Sequence, residues 1–235
     1  MLEHKNSPLH CALLKWYTKR LFGKQFKRLV LRGASGFDQT WTQQNQPPVI
    51  FYGNHQTWWD GFFYVHLLWH YGFEYAIMME EKNLKRFRFF QKTGVFGVDL
   101  DSRLDRGKGV LYAVDWLRKQ GPARRRALVI YPHGRLVPEW EPLPDFQPGL
   151  ARIVQRVENV LAIPVLTRIH YGQHPLPNVD MIIGEPVCRG KGIADNLFAE
   201  GLANILTNLS PYFRCNPLCD MRIIWENTKK LRGEA

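Results

Sequence analysis

The sequence predicts a single α/β domain with a central, largely parallel sheet flanked by helices, preceded by a basic amphipathic helix at the N-terminus. Three observations lead there. Short apolar runs alternate with longer segments of helical period, the pattern of strand–helix–strand units. A length of 235 residues accommodates one substantial core but not two full domains. The composition, 45% hydrophobic, 13% aromatic and 23% charged, is that of a folded chain with extra aromatic residues.

The runs come in order. Val49–Tyr52 ends at Gly53-Asn54, Ala76–Met79 follows, and Ala127–Tyr131 stops at Pro132. Val160–Leu166 and Met181–Ile183 supply two more, and Pro164 places the former near a bend or an edge. Between them Trp58–Tyr71 is strongly apolar, and Val110, Leu111, Val114 and Leu117 mark a helix closing near Gly121. A helix opened by Pro148 carries Leu150, Ile153, Val154 and Val157, and Leu197–Leu209 repeats the period. Such alternation puts reactive side chains at strand-to-helix turns.

The net charge of +11 is concentrated at the start. Residues 1–32 hold eight basic side chains against Glu3, a net +7. We treat 1–32 as a basic membrane-surface segment and 33–235 as the domain proper. From Leu9 to Phe22 the residues Leu9, Leu13, Trp16, Tyr17 and Leu21 recur at helical spacing, with Lys15 and Lys19 opposite and Gly23 as an interruption. Aromatic residues beside lysines suit a phospholipid headgroup region; the alternatives are a helix packed on its own domain, or a nucleic-acid surface. No zinc finger, RNP block or helix-turn-helix pattern supports a nucleic-acid partner. No window is long and apolar enough to span a bilayer and no secretory signal is evident, so peripheral attachment to the cytoplasmic face of a membrane is expected.

Cys11, Cys188, Cys215 and Cys219 are too few and scattered for a disulfide framework, which points to a reducing compartment, and no second Cys/His pair completes a zinc site. His66 and His70 lie one turn apart without an H-E-x-x-H arrangement, so no metal is expected there.

The chemistry concentrates in Gly53-Asn54-His55-Gln56-Thr57-Trp58-Trp59-Asp60-Gly61. A histidine and an aspartate five residues apart cannot share a face of one α-helix, because that offset turns by about 140°. With Thr57 as N-cap, Asp60 falls in the first helical turn and His55 stays on the preceding loop, folded back over it. A carboxylate can then hold one imidazole nitrogen and leave the other as a base for a hydroxyl. Thr57-x-x-Asp60 equally fits a capping box, in which Asp60 satisfies backbone N–H groups. No G-x-S-x-G elbow is present and no cysteine adjoins the histidine, so direct attack is expected in place of an acyl-enzyme.

This segment resembles the H-x4-D motif of the glycerolipid acyltransferases, the lysophosphatidic acid acyltransferase group. Gly94–Asp99 followed by Arg103 is similar to the family's second block, Tyr131-Pro132-His133-Gly134-Arg135 to its third, usually F-P-E-G-T-R, and Phe146–Gly149 to the F-K-x-G beyond it. Ile163-Pro164-Val165 resembles the fourth block. The resemblance implies an α/β fold and an O-acyltransferase moving a fatty acyl group from acyl-CoA or acyl carrier protein to a hydroxyl of a lysophospholipid or related lipid. It implies His55 as general base oriented by Asp60, acceptor contacts from Arg103, His133, Gly134 and Arg135, and no cofactor or metal beyond the acyl co-substrate. His133 stands in place of glutamate, the threonine before Arg135 is missing, Gln147 replaces a lysine and Arg103 is displaced. Fewer cations should weaken a phosphate site. A non-phosphate lipid alcohol, such as a glycosylated carotenoid, is therefore an alternative acceptor, and an inactive lipid-binding relative a further alternative.

Overall fold

The computed structural model describes residues 1–33, 46–119, 125–142, 144–188, 195–207 and 221–226. The readings on Gly121, Cys215 and Cys219 lie outside them. In chain order the elements are α1 (Pro8–Gln25), β1 (Arg28–Arg32), β2 (Val49–Gly53), α2 (Asp60–His70), β3 (Glu74–Glu80), α3 (Glu81–Arg86), β4 (Val95–Val98), α4 (Arg103–Arg118), β5 (Arg126–Ile130), α5 (Gly149–Arg156), β6 (Leu161–His170), β7 (Asn178–Ile183), β8 (Val187–Cys188), α6 (Asp195–Thr207) and β9 (Met221–Glu226). A single 3-10 turn, Phe90–Thr93, precedes β4.

The sheet runs β4-β3-β5-β2-β6-β7-β1-β9, with β8 alongside β6. β4, β3, β5, β2 and β6 are mutually parallel, whereas β7 is antiparallel to β6, and β9 to β1. The strands alternate their burial: Val49 and Phe51 join the core under α1 and α2, while Ile50 and Tyr52 join the core under α4 and α5. Both faces are covered, which is why these strands read as unbroken apolar runs.

Pro164 is a correction. It sits inside the sheet, opposite Tyr52 of β2, in neither an edge strand nor a bend. Its carbonyl accepts from Gly184 N at 2.9 Å, so its missing N–H faces the junction where β7 ends and β8 begins, and no ladder bond is lost there.

In the N-terminal segment Gly23 does not interrupt the helix. α1 continues through Gly23 to Gln25, and it buries Leu14, Thr18 and Phe22. Most of the apolar stripe read from the sequence faces outward: Leu9, Leu13, Trp16 and Tyr17 are all exposed, Trp16 by 62%. Phe22 explains the choice, since its ring contacts Phe26, Trp59, Phe63, His66 and Trp225. Burying one such ring stabilises by roughly 2–3 kcal/mol. β1 pairs with β7 and β9 as part of the sheet, so the boundary placed at residue 32 crosses a continuous fold. Among the described residues no helix is long and apolar enough to cross a membrane.

Candidate active site

β2 ends on Gly53, and the chain leaves the sheet there under tight restraint. A Cβ on Gly53 would lie 2.2 Å from Val165 O and 2.6 Å from the Tyr64 hydroxyl, so only glycine lets β2 approach β6 this closely. Asn54, buried, then spans to β6: its Nδ2 donates to Thr167 O at 2.9 Å and its Oδ1 accepts from Thr167 N at 2.8 Å. This two-way bond fixes the backbone from which His55 projects.

Asp60 opens α2 and is 1% exposed. Its Oδ2 accepts from His55 Nδ1 at 2.9 Å, Gln56 N at 2.7 Å and Thr57 N at 2.9 Å, and its Oδ1 accepts from the Thr57 hydroxyl at 3.0 Å. The two readings of this aspartate therefore coexist, since one carboxylate holds the imidazole and also satisfies the N–H groups of the preceding turn. Its charge is also favourable at a helix N-terminus. A carboxylate only accepts, so the hydrogen of the shared bond is on Nδ1, and Nε2 carries the lone pair.

The opposite wall comes from the exit of β5, parallel to β2 and beside it. Tyr131 lies flat against His55, with ring centroids 4.0 Å apart and planes 14° from parallel. Sequence reasoning placed Tyr131 in the third block without assigning this contact. Tyr131 also meets Tyr64 edge-on at 5.8 Å, and burial raises the pKa of both phenols, which keeps them protonated. The loop beyond is tied back, because Val137 N donates to His55 O at 2.6 Å.

His55, Tyr131, Gly134 and Arg135 line one cleft of about 380 Å³. Its inner part is apolar, formed by Leu14, Phe62, Val65, Ile77, Met79 and Val95, and Glu80, Lys82 and Asn83 add polar groups. These three were not picked out from the sequence; their position at the exit of β3, parallel to β5, was the available signal.

The four residues for which the resemblance implies acceptor contacts separate here. Arg135 and Gly134 reach the cleft; His133 and Arg103 are not among its lining residues. His133 is buried, with Nδ1 donating to Pro144 O at 2.9 Å and its ring edge-on to Phe146. Burial lowers its pKa and keeps it neutral. Arg103 is the first residue of α4, after the cap Ser102. Gly134 takes the left-handed conformation at φ 72°, and its N–H donates to Tyr131 O at 3.0 Å, so it turns the chain and leaves no free backbone donor.

A buried carboxylate, a held imidazole with a free nitrogen, and an apolar cleft form an arrangement able to deprotonate a hydroxyl beside a long apolar group. The fold is similar to the crystal structure of the 1-acyl-sn-glycerophosphate (LPA) acyltransferase PlsC from Thermotoga maritima, with a TM-score of 0.51 at 17% identity over 85% of this chain and 79% of that one. No curated protein sequence matches this chain. The family model described as Acyltransferase matches residues 37–168, more than half of the chain, and spans His55, Asp60, Tyr131 and Arg135. The chain is thus an enzyme of the Acyltransferase family.

Proposed function

We propose that this enzyme is an O-acyltransferase that moves a fatty acyl group from an acyl thioester, acyl-CoA or acyl carrier protein, to a hydroxyl of a lysophospholipid or related membrane lipid, with His55 as general base and Asp60 as its positioning partner. The observation that carries this reading is the His55 Nδ1–Asp60 Oδ2 bond at 2.9 Å beside an apolar cleft.

As Nε2 takes the acceptor proton, the hydroxyl oxygen bonds to the thioester carbonyl carbon. The tetrahedral intermediate then collapses, the C–S bond breaks, and the leaving sulfur recovers the proton from the imidazolium. Asp60 stabilises the cation that exists between the two transfers. The thioester supplies an activated acyl group, so this reaction calls for no further cofactor. The apolar interior between Leu14, Phe62, Val65 and Val95 is the place for the acyl chain, and Arg135 and Gly134 contribute to the acceptor side.

Docking on the anionic cytoplasmic leaflet fits the surface around the cleft. Trp16, Leu9, Leu13 and Tyr17 of α1 are exposed, as are Trp58 and Leu136, both in the cleft lining. Lysines at 15, 19 and 24 share α1, and basic groups beside such a leaflet contribute at most about 1 kcal/mol each. The neighbouring PlsC is a 1-acyl-sn-glycerophosphate acyltransferase, which supports a lipid hydroxyl as acceptor here.

The test is thiol release from an acyl thioester in detergent or liposomes, with and without a lipid acceptor. His55→Ala should cut acceptor-dependent release by at least about 10²-fold. Release that ignores this substitution would leave a lipid-binding relative as the better reading.

A further inference from the structure

We infer that the acceptor presents an uncharged, hydroxyl-rich headgroup to the cleft in place of a phosphate. This rests on the acyltransferase reading above and names its acceptor class. The charged side chains among the described residues of the cleft are Glu80, Lys82 and Arg135. Both cations are already matched. Lys82 Nζ is ion-paired with Glu80, to which Asn83 Nδ2 also donates at 3.1 Å. Both terminal nitrogens of Arg135 lie 3.2 Å from Glu141 Oε2, and Nη1 is also 3.2 Å from Leu136 O.

A phosphate oxygen only accepts hydrogen bonds and favours an open arginine fork or a lysine charge. Here the fork is turned onto a carboxylate, and a second carboxylate belongs to the cleft itself. Both ion pairs are at least partly exposed and contribute little to stability. Their effect is on recognition: each cation already faces a carboxylate, so a phosphate arriving at Lys82 and Arg135 meets two positive groups together with Glu80 and, just outside the lining, Glu141. His133 adds no charge, because it is buried on Pro144 O and held neutral, and Arg103 is outside the cleft lining.

A hydroxyl both donates and accepts. It can donate to Glu80 while accepting from Asn83 or Lys82, and a ring of several hydroxyls, as in a sugar headgroup, can do so at more than one point without desolvating a dianion. The residues present thus match a polyol better than a phosphate.

The experiment compares two acceptors, dodecyl glucoside and lysophosphatidate, in the same detergent with one acyl-CoA donor, for the wild type, His55→Ala and the double variant Glu80→Gln with Glu141→Gln. The wild type should favour the glucoside by at least tenfold in kcat/KM. The double variant, with its cations released, should shift that ratio at least tenfold toward lysophosphatidate. His55-dependent turnover that favours lysophosphatidate overturns this inference and leaves the acyltransferase reading standing. So does a ratio that the double variant leaves unchanged. Consumption of thioester with neither acceptor, or turnover indifferent to His55→Ala, overturns both.

Discussion

The imidazole of His55 rests flat on the phenol ring of Tyr131, with 4.0 Å between centroids. Asp60 fixes one edge of the imidazole and Tyr131 fixes its plane, so the free Nε2 is held in two directions. In the proposed mechanism the same ring would stabilise the imidazolium, since a cation over an aromatic face gains about 0.5–2 kcal/mol. Tyr131→Leu should therefore lower kcat by about 2- to 30-fold with KM little changed, and Tyr131→Phe should retain most of the activity because it keeps the ring. Steady-state kinetics of the two variants check this. Equal losses in both would assign the effect to the hydroxyl, and no loss in either would remove the stacking role.

The backbone beneath His55 is fixed by an amide, not by the strand ladder alone. Asn54 gives one hydrogen bond to Thr167 O and receives one from Thr167 N. Asn54→Asp keeps the acceptor but sets a carboxylate oxygen against the Thr167 carbonyl in a buried site, at a cost of about 1–3 kcal/mol. An unfolding free energy from denaturant titration lowered by that amount, with kcat reduced as His55 shifts, is the expected result. Unchanged stability and unchanged rate would mean that the clasp positions nothing.

What could be read from the sequence was local. His55 and Asp60 are five residues apart, so spacing and chain geometry allowed the pair beside a capping box, and the resemblance to the H-x4-D motif singled it out. The stack of Tyr131 under His55 spans 76 positions and depends on β2 and β5 being parallel neighbours in the register Tyr52↔Ile130. The hint was there, since Tyr131 closes one apolar run and His55 stands three residues past another, but adjacency in the sheet is set by the whole topology. α1 was legible as a helix with an outward apolar stripe, but the face that packs on the domain was not. Periodicity favoured Leu13, Trp16 and Tyr17, whereas the core took Leu14 and Phe22, because a ring nested among Phe26, Phe63 and Trp225 outweighs an ordered stripe. β1 was missed because arginines flank its apolar centre, giving it the look of a charged linker.

Gly61 offers a handle on the acyl-chain site. It lines the cleft as the second residue of α2, and a Cβ built there meets nothing within 4 Å. Gly61→Leu gains helix propensity of about 1 kcal/mol and projects a branched side chain into open cleft space. Turnover of a palmitoyl thioester should fall by tenfold or more relative to a hexanoyl thioester, with thermal stability maintained. Equal losses for both chain lengths would show that the apolar interior does not hold the acyl group.

His66 gives the fold an acid sensitivity separate from the reaction. It is buried between α1 and α2, stacked on Phe22 at 4.4 Å, with Nε2 3.0 Å from the Thr18 hydroxyl. That hydroxyl gives its hydrogen to Leu14 O at 2.8 Å, so Nε2–H donates to it. Burial, reinforced by Lys19 and Lys15, lowers its pKa from 6.5 to about 4. The unfolded chain therefore binds a proton that the folded chain refuses between those values, and stability is lost as pH falls from about 6.5 to about 4. At 1.36 kcal/mol per pKa unit the full loss is roughly 3 kcal/mol. His66→Phe keeps a ring against Phe22 and has nothing to protonate. Denaturant unfolding at pH 7 and pH 4.5 should show the wild type losing more stability than His66→Phe, by about 2–3 kcal/mol. Parallel losses in the two proteins would mean that the imidazole finds water or a counter-charge in the folded state and is not the acid-sensitive group.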